Sequence, residues 1–211
     1  MHKIKTKIKD LFVLKGKKFF DQRGWLRESF KVKIFKKKIV FCVASKSKRN
    51  VLRGLHFQSK NAQDKIIVVL KGKILDVAVD LRKNSKTFGK HHKVLLSDSN
   101  CKSFFIPKGF AHGFLGLEKE NIVLYACSNY RHKNSETSIK WNDEKLKINW
   151  GIKKPILSKK DKKALSFESY VKKGWKKKII FTGGSGRFGK VFKKIHINRN
   201  ILYPTSKQLN I

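Results

Sequence analysis

From Ile4 to about Trp150 the chain is a succession of short apolar runs cut by Gly, Asn, Asp and Lys, with a single proline, Pro107, in that span. In KIIVVLKGKILDVAVDL two runs rich in Val and Ile flank Lys71-Gly72-Lys73, and HHKVLLS, CKSFFIP and NIVLYACSNY are further runs of the same kind. Closely spaced runs of β-branched and aromatic residues with turn residues between them predict an all-β sandwich or barrel, for which a jelly roll is the natural arrangement. The stretch KKPILSKKDKKALSFESYVKKG, from Lys153 to Gly174, is polar and predicts a short, partly helical cover at the C-terminal end of the barrel.

At Lys176 the pattern changes. KKKIIFTGGSGRFGKVFKKI reads as a basic lead-in, a short strand (Ile179, Ile180, Phe181), a glycine-rich turn and the start of an amphipathic helix, and Asn200 to Tyr203 reads as a second strand. That order opens a dinucleotide-binding fold. Gly183, Gly186 and Gly189 follow the GxxGxxG spacing, which resembles short-chain dehydrogenases and reductases, and such glycines let backbone N–H groups approach a pyrophosphate. One βαβ unit is too small to enclose a cofactor. The expected division is therefore a jelly-roll domain over residues 1–174 and a truncated, Rossmann-like segment over 175–211, whose cofactor-binding glycines are vestigial.

Charge changes the picture less than its size suggests. Against 52 Lys and Arg stand 14 Asp and Glu, a formal net charge of +38. An excess like this ordinarily points to nucleic acid or an anionic membrane. Here the lysines are spread along the whole chain and far outnumber the arginines, which fits a composition bias that also attracts an anionic substrate; no specific nucleic-acid or membrane partner is expected. Cys42, Cys101 and Cys127 are an odd number without CxxC spacing, against a disulfide framework or a zinc knuckle and in keeping with a reducing cytoplasm. MHKIKTKIKDLFVLKG has charges throughout and no apolar stretch of a secretory leader.

The densest chemistry lies in Val51-Leu52-Arg53-Gly54-Leu55-His56-Phe57-Gln58, with Lys65 soon after, then in PKGFAHGF over 107–114 and LYACSNY over 124–130. By residue type these supply a base (His56), a cation (Lys65), arginines suited to phosphate (Arg23, Arg53) and phenolic acids (Tyr125, Tyr130). A single His or Tyr would more often be a packed barrel residue with a satisfied polar tip. The order of the motifs argues otherwise.

VLRGLHFQ, Thr87-Phe88-Gly89, PKGFAHGFLGL, LYACSNY and Ser158-Lys159-Lys160-Asp161 together resemble the dTDP-4-dehydrorhamnose 3,5-epimerase family, and DQRGWLRESF at 21–30 is similar to that family's early DxRGxFxE stretch. The likeness covers about residues 10–170. It implies a cupin-type jelly-roll homodimer acting on a dTDP-4-keto-6-deoxyhexose, on the route to dTDP-L-rhamnose and cell-surface polysaccharide, with a separate NADPH-dependent reductase as functional partner. By the match His56 is the base, Asp161 orients it, Lys65 stabilises an enolate and Tyr125 returns a proton on the opposite face. Arg23 and Arg53 would hold the diphosphate, Glu28 the thymine, and His112 and Tyr130 would complete the pocket. Neither metal nor cofactor is implied. Metal cupins use an HxH set with a following Glu, whereas His56 is followed by Phe57-Gln58, and His91-His92 are adjacent and so face opposite ways in a strand.

One stretch departs from the family pattern. Where QxNxSxS is usual, this chain has Phe41-Cys42-Val43-Ala44-Ser45-Lys46-Ser47, so the serines remain and the amides are replaced by Phe41 and Val43. An apolar wall there leaves open which sugar is bound and whether one carbon or two are inverted. The competing reading is a non-catalytic basic jelly roll holding an anionic polymer, though the chain lacks an Arg stripe or interleaved aromatics for stacking bases.

Overall fold

The computed structural model describes residues 1–34 and 38–174 and, beyond these, the backbone of two short strands. The chain divides into two compact units, Met1–Phe167 and Glu168–Ile211. In the second, Ile179–Ile180 pairs in parallel with Ile201–Leu202. Gly183, Gly186 and Gly189, and the helix expected between the strands, lie outside the described residues.

The first unit is a two-sheet β-sandwich of the jelly-roll kind. One sheet has the order β1 (His2–Lys5), β2 (Phe12–Lys15), β10 (Lys102–Ile106), β7 (Lys65–Lys71), β12 (Asn121–Cys127), β5 (Phe41–Ser47). The other has the order β13 (Glu136–Ser138), β6 (Leu52–Gln58), β11 (Phe110–Gly116), β8 (Lys73–Asp80), β9 (His91–Ser97). The strands β3 (Lys18–Asp21) and β4 (Gly24–Arg27) form a separate hairpin that exposes Phe19, Phe20, Trp25 and Leu26. The polar C-terminal stretch contains the short helix α1 (Lys159–Lys162) and the start of α2 (Phe167–Gly174), as its composition predicts.

Strand alternation explains the core. Ile67 and Val69 of β7 face inward with Ile74, Phe104, Phe110, Phe114 and Val123. Their neighbours Ile66 and Val68 face outward and are buried too, in a second cluster with Phe12, Leu14, Phe105 and Ala126 over which Met1, Phe30, Ile34 and Ile39 pack. A strand covered on both faces has no polar side, which is why β7 reads as an unbroken apolar run.

Lys71-Gly72-Lys73 is a corner, since β7 and β8 belong to different sheets. Gly72 sits at φ +85°, and a Cβ there would lie 2.2 Å from the Glu120 carbonyl. The turn is fastened from outside: the Gly72 N–H donates to Asp98 and the Lys73 N–H to the Asn121 side chain.

Buried carboxylates hold the loops. Asp80 is fully buried and accepts bonds from the Arg82 guanidinium and from the Ser85 and Thr87 hydroxyls at 2.6–2.9 Å. Burial pushes its carboxyl up, but these donors together outweigh burial and hold it below the ordinary range. Glu136 is held at about 2 by Arg131, against partial burial and with help from Lys160. A depressed carboxyl adds stability that is complete above its unfolded value and is lost as pH falls through its folded value. With ordinary values of 3.8 for Asp80 and 4.5 for Glu136, the unfolding midpoint is expected to decline as pH drops from about 5 toward 2. Thermal unfolding followed across that range checks it.

Candidate active site

The site begins with a change of phase in β6. Arg53 and His56 are three residues apart, so regular alternation would place them on opposite faces. Yet His56 pairs with His112 and Arg53 pairs with Phe114, and between those pairs β6 advances by three residues while β11 advances by two. This bulge turns both side chains to the face that carries His112 and Phe114. Two glycines permit it. Gly54 lies at φ +131°, and a Cβ on it would come within 2.5 Å of the Gly113 Cα and 2.8 Å of the His112 carbonyl. A Gly54→Ala substitution is expected to cost about 2–4 kcal/mol, read as a lower denaturant midpoint, because the colliding atoms are backbone and cannot turn aside.

His56 meets a carboxylate distant in sequence. Its Nε2 lies 2.5 Å from Asp161 Oδ1, across a separation of 105 residues. Asp161 is buried and is fixed by Ser158, the N-cap of α1, whose hydroxyl donates to Asp161 Oδ2 and accepts from the Asp161 N–H. Burial raises the Asp161 carboxyl, while the bonds to His56 and Ser158 more than compensate and keep it ionised. The His56 side chain stays 35% exposed.

The facing sheet supplies the other groups. Tyr125 of β12 packs against the inner core, and its hydroxyl lies 3.4 Å from Ser45 Oγ. Burial raises this phenol, so it remains protonated at neutral pH. Lys65 lies at the start of β7, where burial lowers its ammonium. Among the described residues its side-chain nitrogen has no hydrogen-bond or ion-pair partner. Asp64 beside it accepts from the Ser128 hydroxyl and the Lys108 N–H, which fixes the entry of β7.

Arg53 reaches between the sheets, donating from Nε to Ser47 Oγ at 2.9 Å and from Nη2 to the Lys46 carbonyl at 3.0 Å. His112 lies between His56 and Tyr125: it is the cross-strand neighbour of the first, and its ring is 6.1 Å from that of the second. It is buried, and its Nε2 contacts both oxygens of the fully buried Asp76 at 2.9 and 3.0 Å. This second His–Asp pair was not among the candidates from sequence. The signal was there, because Asp76 and Asp80 share the inward phase of Ile74 and Ala78 on β8, and a buried acid requires a partner.

Three expected residues lie outside this group. Arg23 is 85% exposed and pairs with Asp21 in the hairpin, while Glu28 pairs with Lys31. Tyr130 is 65% exposed, its ring 6.1 Å from that of Phe41. Phe41 and Val43 themselves stand on the inner face of β5, opposite Cys127 and Tyr125 respectively. His91 and His92 are successive residues of β9, and His92 packs near Phe104. Among the described residues no three His, Cys, Asp or Glu side chains gather as a metal site, and no helix is long and apolar enough to cross a membrane.

A carboxylate-oriented imidazole on one sheet, facing a protonated phenol and an unpaired ammonium on the other, defines an acid–base enzyme built on a cupin-type jelly roll. Comparison with known proteins makes this specific: the profile of dTDP-4-dehydrorhamnose 3,5-epimerase matches residues 5–169, and the chain belongs to that family. The Salmonella typhimurium enzyme of that name is 46% identical over 166 residues, covering 75% of this chain and 91% of the relative. The Escherichia coli K12 enzyme is 42% identical over 183 residues, covering 82% and 97%. A crystal structure of dTDP-6-deoxy-D-glucose-3,5-epimerase from Legionella pneumophila, in complex with dTDP-4-keto-L-rhamnose, superimposes with a TM-score of 0.76 at 40% identity, covering 79% of this chain and 93% of that one.

Proposed function

We propose that this chain epimerises a dTDP-4-keto-6-deoxyhexose at carbons 3 and 5, converting dTDP-4-dehydro-6-deoxyglucose to dTDP-4-dehydro-L-rhamnose. The observation that carries the reading is the placement of His56–Asp161 and Tyr125 on facing sheets. A hydrogen beside a ketone is weakly acidic, so its removal needs a placed base and a cation for the enolate oxygen. With Nε2–H donated to Asp161, neutral His56 presents the Nδ1 lone pair as that base. The electrons of the broken C–H bond move onto the ketone oxygen, held by the Lys65 ammonium. Tyr125 then gives its proton to the same carbon from the other side, inverting it. Arg53, on the inner face, is suited to the diphosphate, and His112, locked by Asp76, supports the wall between base and acid.

From the family pattern Arg23 is assigned to the diphosphate, Glu28 to the thymine, and Tyr130, with His112, to completing the pocket. A homodimer accounts for the exposed apolar hairpin and for β5, an edge strand whose free backbone would otherwise be unprotected. The setting proposed is cytoplasmic dTDP-rhamnose synthesis, with a separate NADPH-dependent reductase consuming the product.

Incubation with dTDP-4-keto-6-deoxyglucose in heavy water, read by mass spectrometry, tests the function. Deuterium at carbons 3 and 5 supports it, uptake at one carbon identifies a single-carbon epimerase, and none removes the assignment. Tyr125→Phe separates the two halves of the reaction: exchange by His56 is expected to continue while inverted product, followed by NMR, falls about 10²-fold.

A further inference from the structure

Inversion of one carbon leaves both acid–base groups in the wrong state for the next. His56 holds the proton it removed, and Tyr125 has become a phenolate. The His56 side chain is 35% exposed, so water reaches it. Tyr125 is packed against the inner core, with the rings of His112 and Phe114 beside it at 6.1 and 6.4 Å. The polar groups around its hydroxyl are mostly committed elsewhere. His112 Nε2 is held by Asp76, and Arg53 donates to Ser47 Oγ and to the Lys46 carbonyl. Burial disfavours the phenolate most; the Ser45 hydroxyl and the charge of Arg53 favour it, while Asp76 and Cys127 oppose it. Among the described residues the phenol has one hydrogen-bonding partner, Ser45 Oγ at 3.4 Å. That separation is long for an O–H···O bond, and catalytic contacts of this kind tighten when substrate is bound.

Ser45 stands where the core meets solvent. Alternation along β5 places Val43, Ser45 and Ser47 on one face, the face that Tyr125 shares. Val43 is 43% exposed, Ser45 is half-buried and Ser47 is buried. The row therefore grades from water into the core, and its middle member is the one that touches the phenol. We propose that Ser45 carries a proton from water to the Tyr125 phenolate after each inversion, resetting the acid for its next use. The inference rests on the epimerase reading above. The Ser45 O–H bond breaks as the phenol O–H bond forms, and Oγ takes up a proton from water. The hydroxide left behind is neutralised by the proton that His56 releases, so no net acid is consumed. A hydroxyl can do this because it donates and accepts at once. Ser45 touches no reacting carbon and acts through Tyr125, as a positioning residue.

The test is a rapid-quench time course with dTDP-4-keto-6-deoxyglucose in several-fold excess over sites, inverted sugar being measured by NMR. Tyr125 is protonated at the outset in Ser45→Ala. This variant is expected to make a first inversion at each site at the unaltered rate and then to continue about 10-fold or more slowly. Ser45→Thr keeps the hydroxyl and is expected to restore the later phase. Tyr125→Phe should give no initial burst. A role in shape alone would slow the first inversion as much as those that follow. Equal slowing of both phases in Ser45→Ala, or a later phase as fast as in the unaltered protein, would overturn the relay while leaving the epimerase reading in place. No inversion by the unaltered protein would remove both.

Discussion

His56→Ala is expected to lower kcat/KM for the epimerisation by about 10²- to 10⁴-fold, with deuterium uptake from heavy water falling in parallel. The parallel fall matters, because a residue that merely bound substrate would raise KM and leave exchange at saturation intact. Asp161→Asn is the companion measurement. The amide can still fill the space against Ser158, but it loses the charge that favours Nε2–H on His56. It should therefore lose activity at neutral pH with little change in folding.

Lys65→Met is expected to show the opposite signs in activity and stability. Removing the cation that holds the enolate should cost about 10²- to 10³-fold in kcat. The same change should raise the denaturant midpoint, because an ammonium partly buried without a partner is a cost to the fold. Its sign follows from the lowered ammonium. The penalty is complete below the lowered folded value, where Lys65 is charged in both states, and it shrinks as pH rises through that value. The stabilisation by Met should accordingly narrow in alkaline buffer, which parallel unfolding curves at neutral and high pH would show.

Much of the barrel could be read from the chain because apolar alternation and turn residues are local signals. The strands around KIIVVL and ILDVAVD, the partly helical character of Lys153 to Gly174 and the cluster of chemistry near His56 all follow from such signals or from the order of motifs. Other features depended on pairing, which is not local. Nothing in VLRGLHFQ says that Arg53 and His56 share a face until β11 is placed beside it with Gly113 against Gly54. The Lys71-Gly72-Lys73 corner has the composition of a hairpin turn, and only the partners of β7 and β8 show that it joins two sheets. Asp76 belongs to no recognisable motif, and its importance lies in being a buried acid in an inward strand position. Arg23 and Glu28 were legible by type, but within one chain their ion pairs are local to the hairpin and the segment after it.

The bulge in β6 and the edge strand β5 differ in how freely they can change over generations. A substitution at Gly54 or Gly113 meets backbone on both sides and disturbs fold and chemistry together, so descent should hold those positions nearly still. Among the described residues of one chain, Phe41 and Val43 have a strand on one side only and border open space, so new side chains there need few accommodating changes within that chain. On the proposed reading, the reaction is tied to positions that resist change and β5 to positions that admit it, so lineages diverging in substrate would be expected to record that divergence along β5.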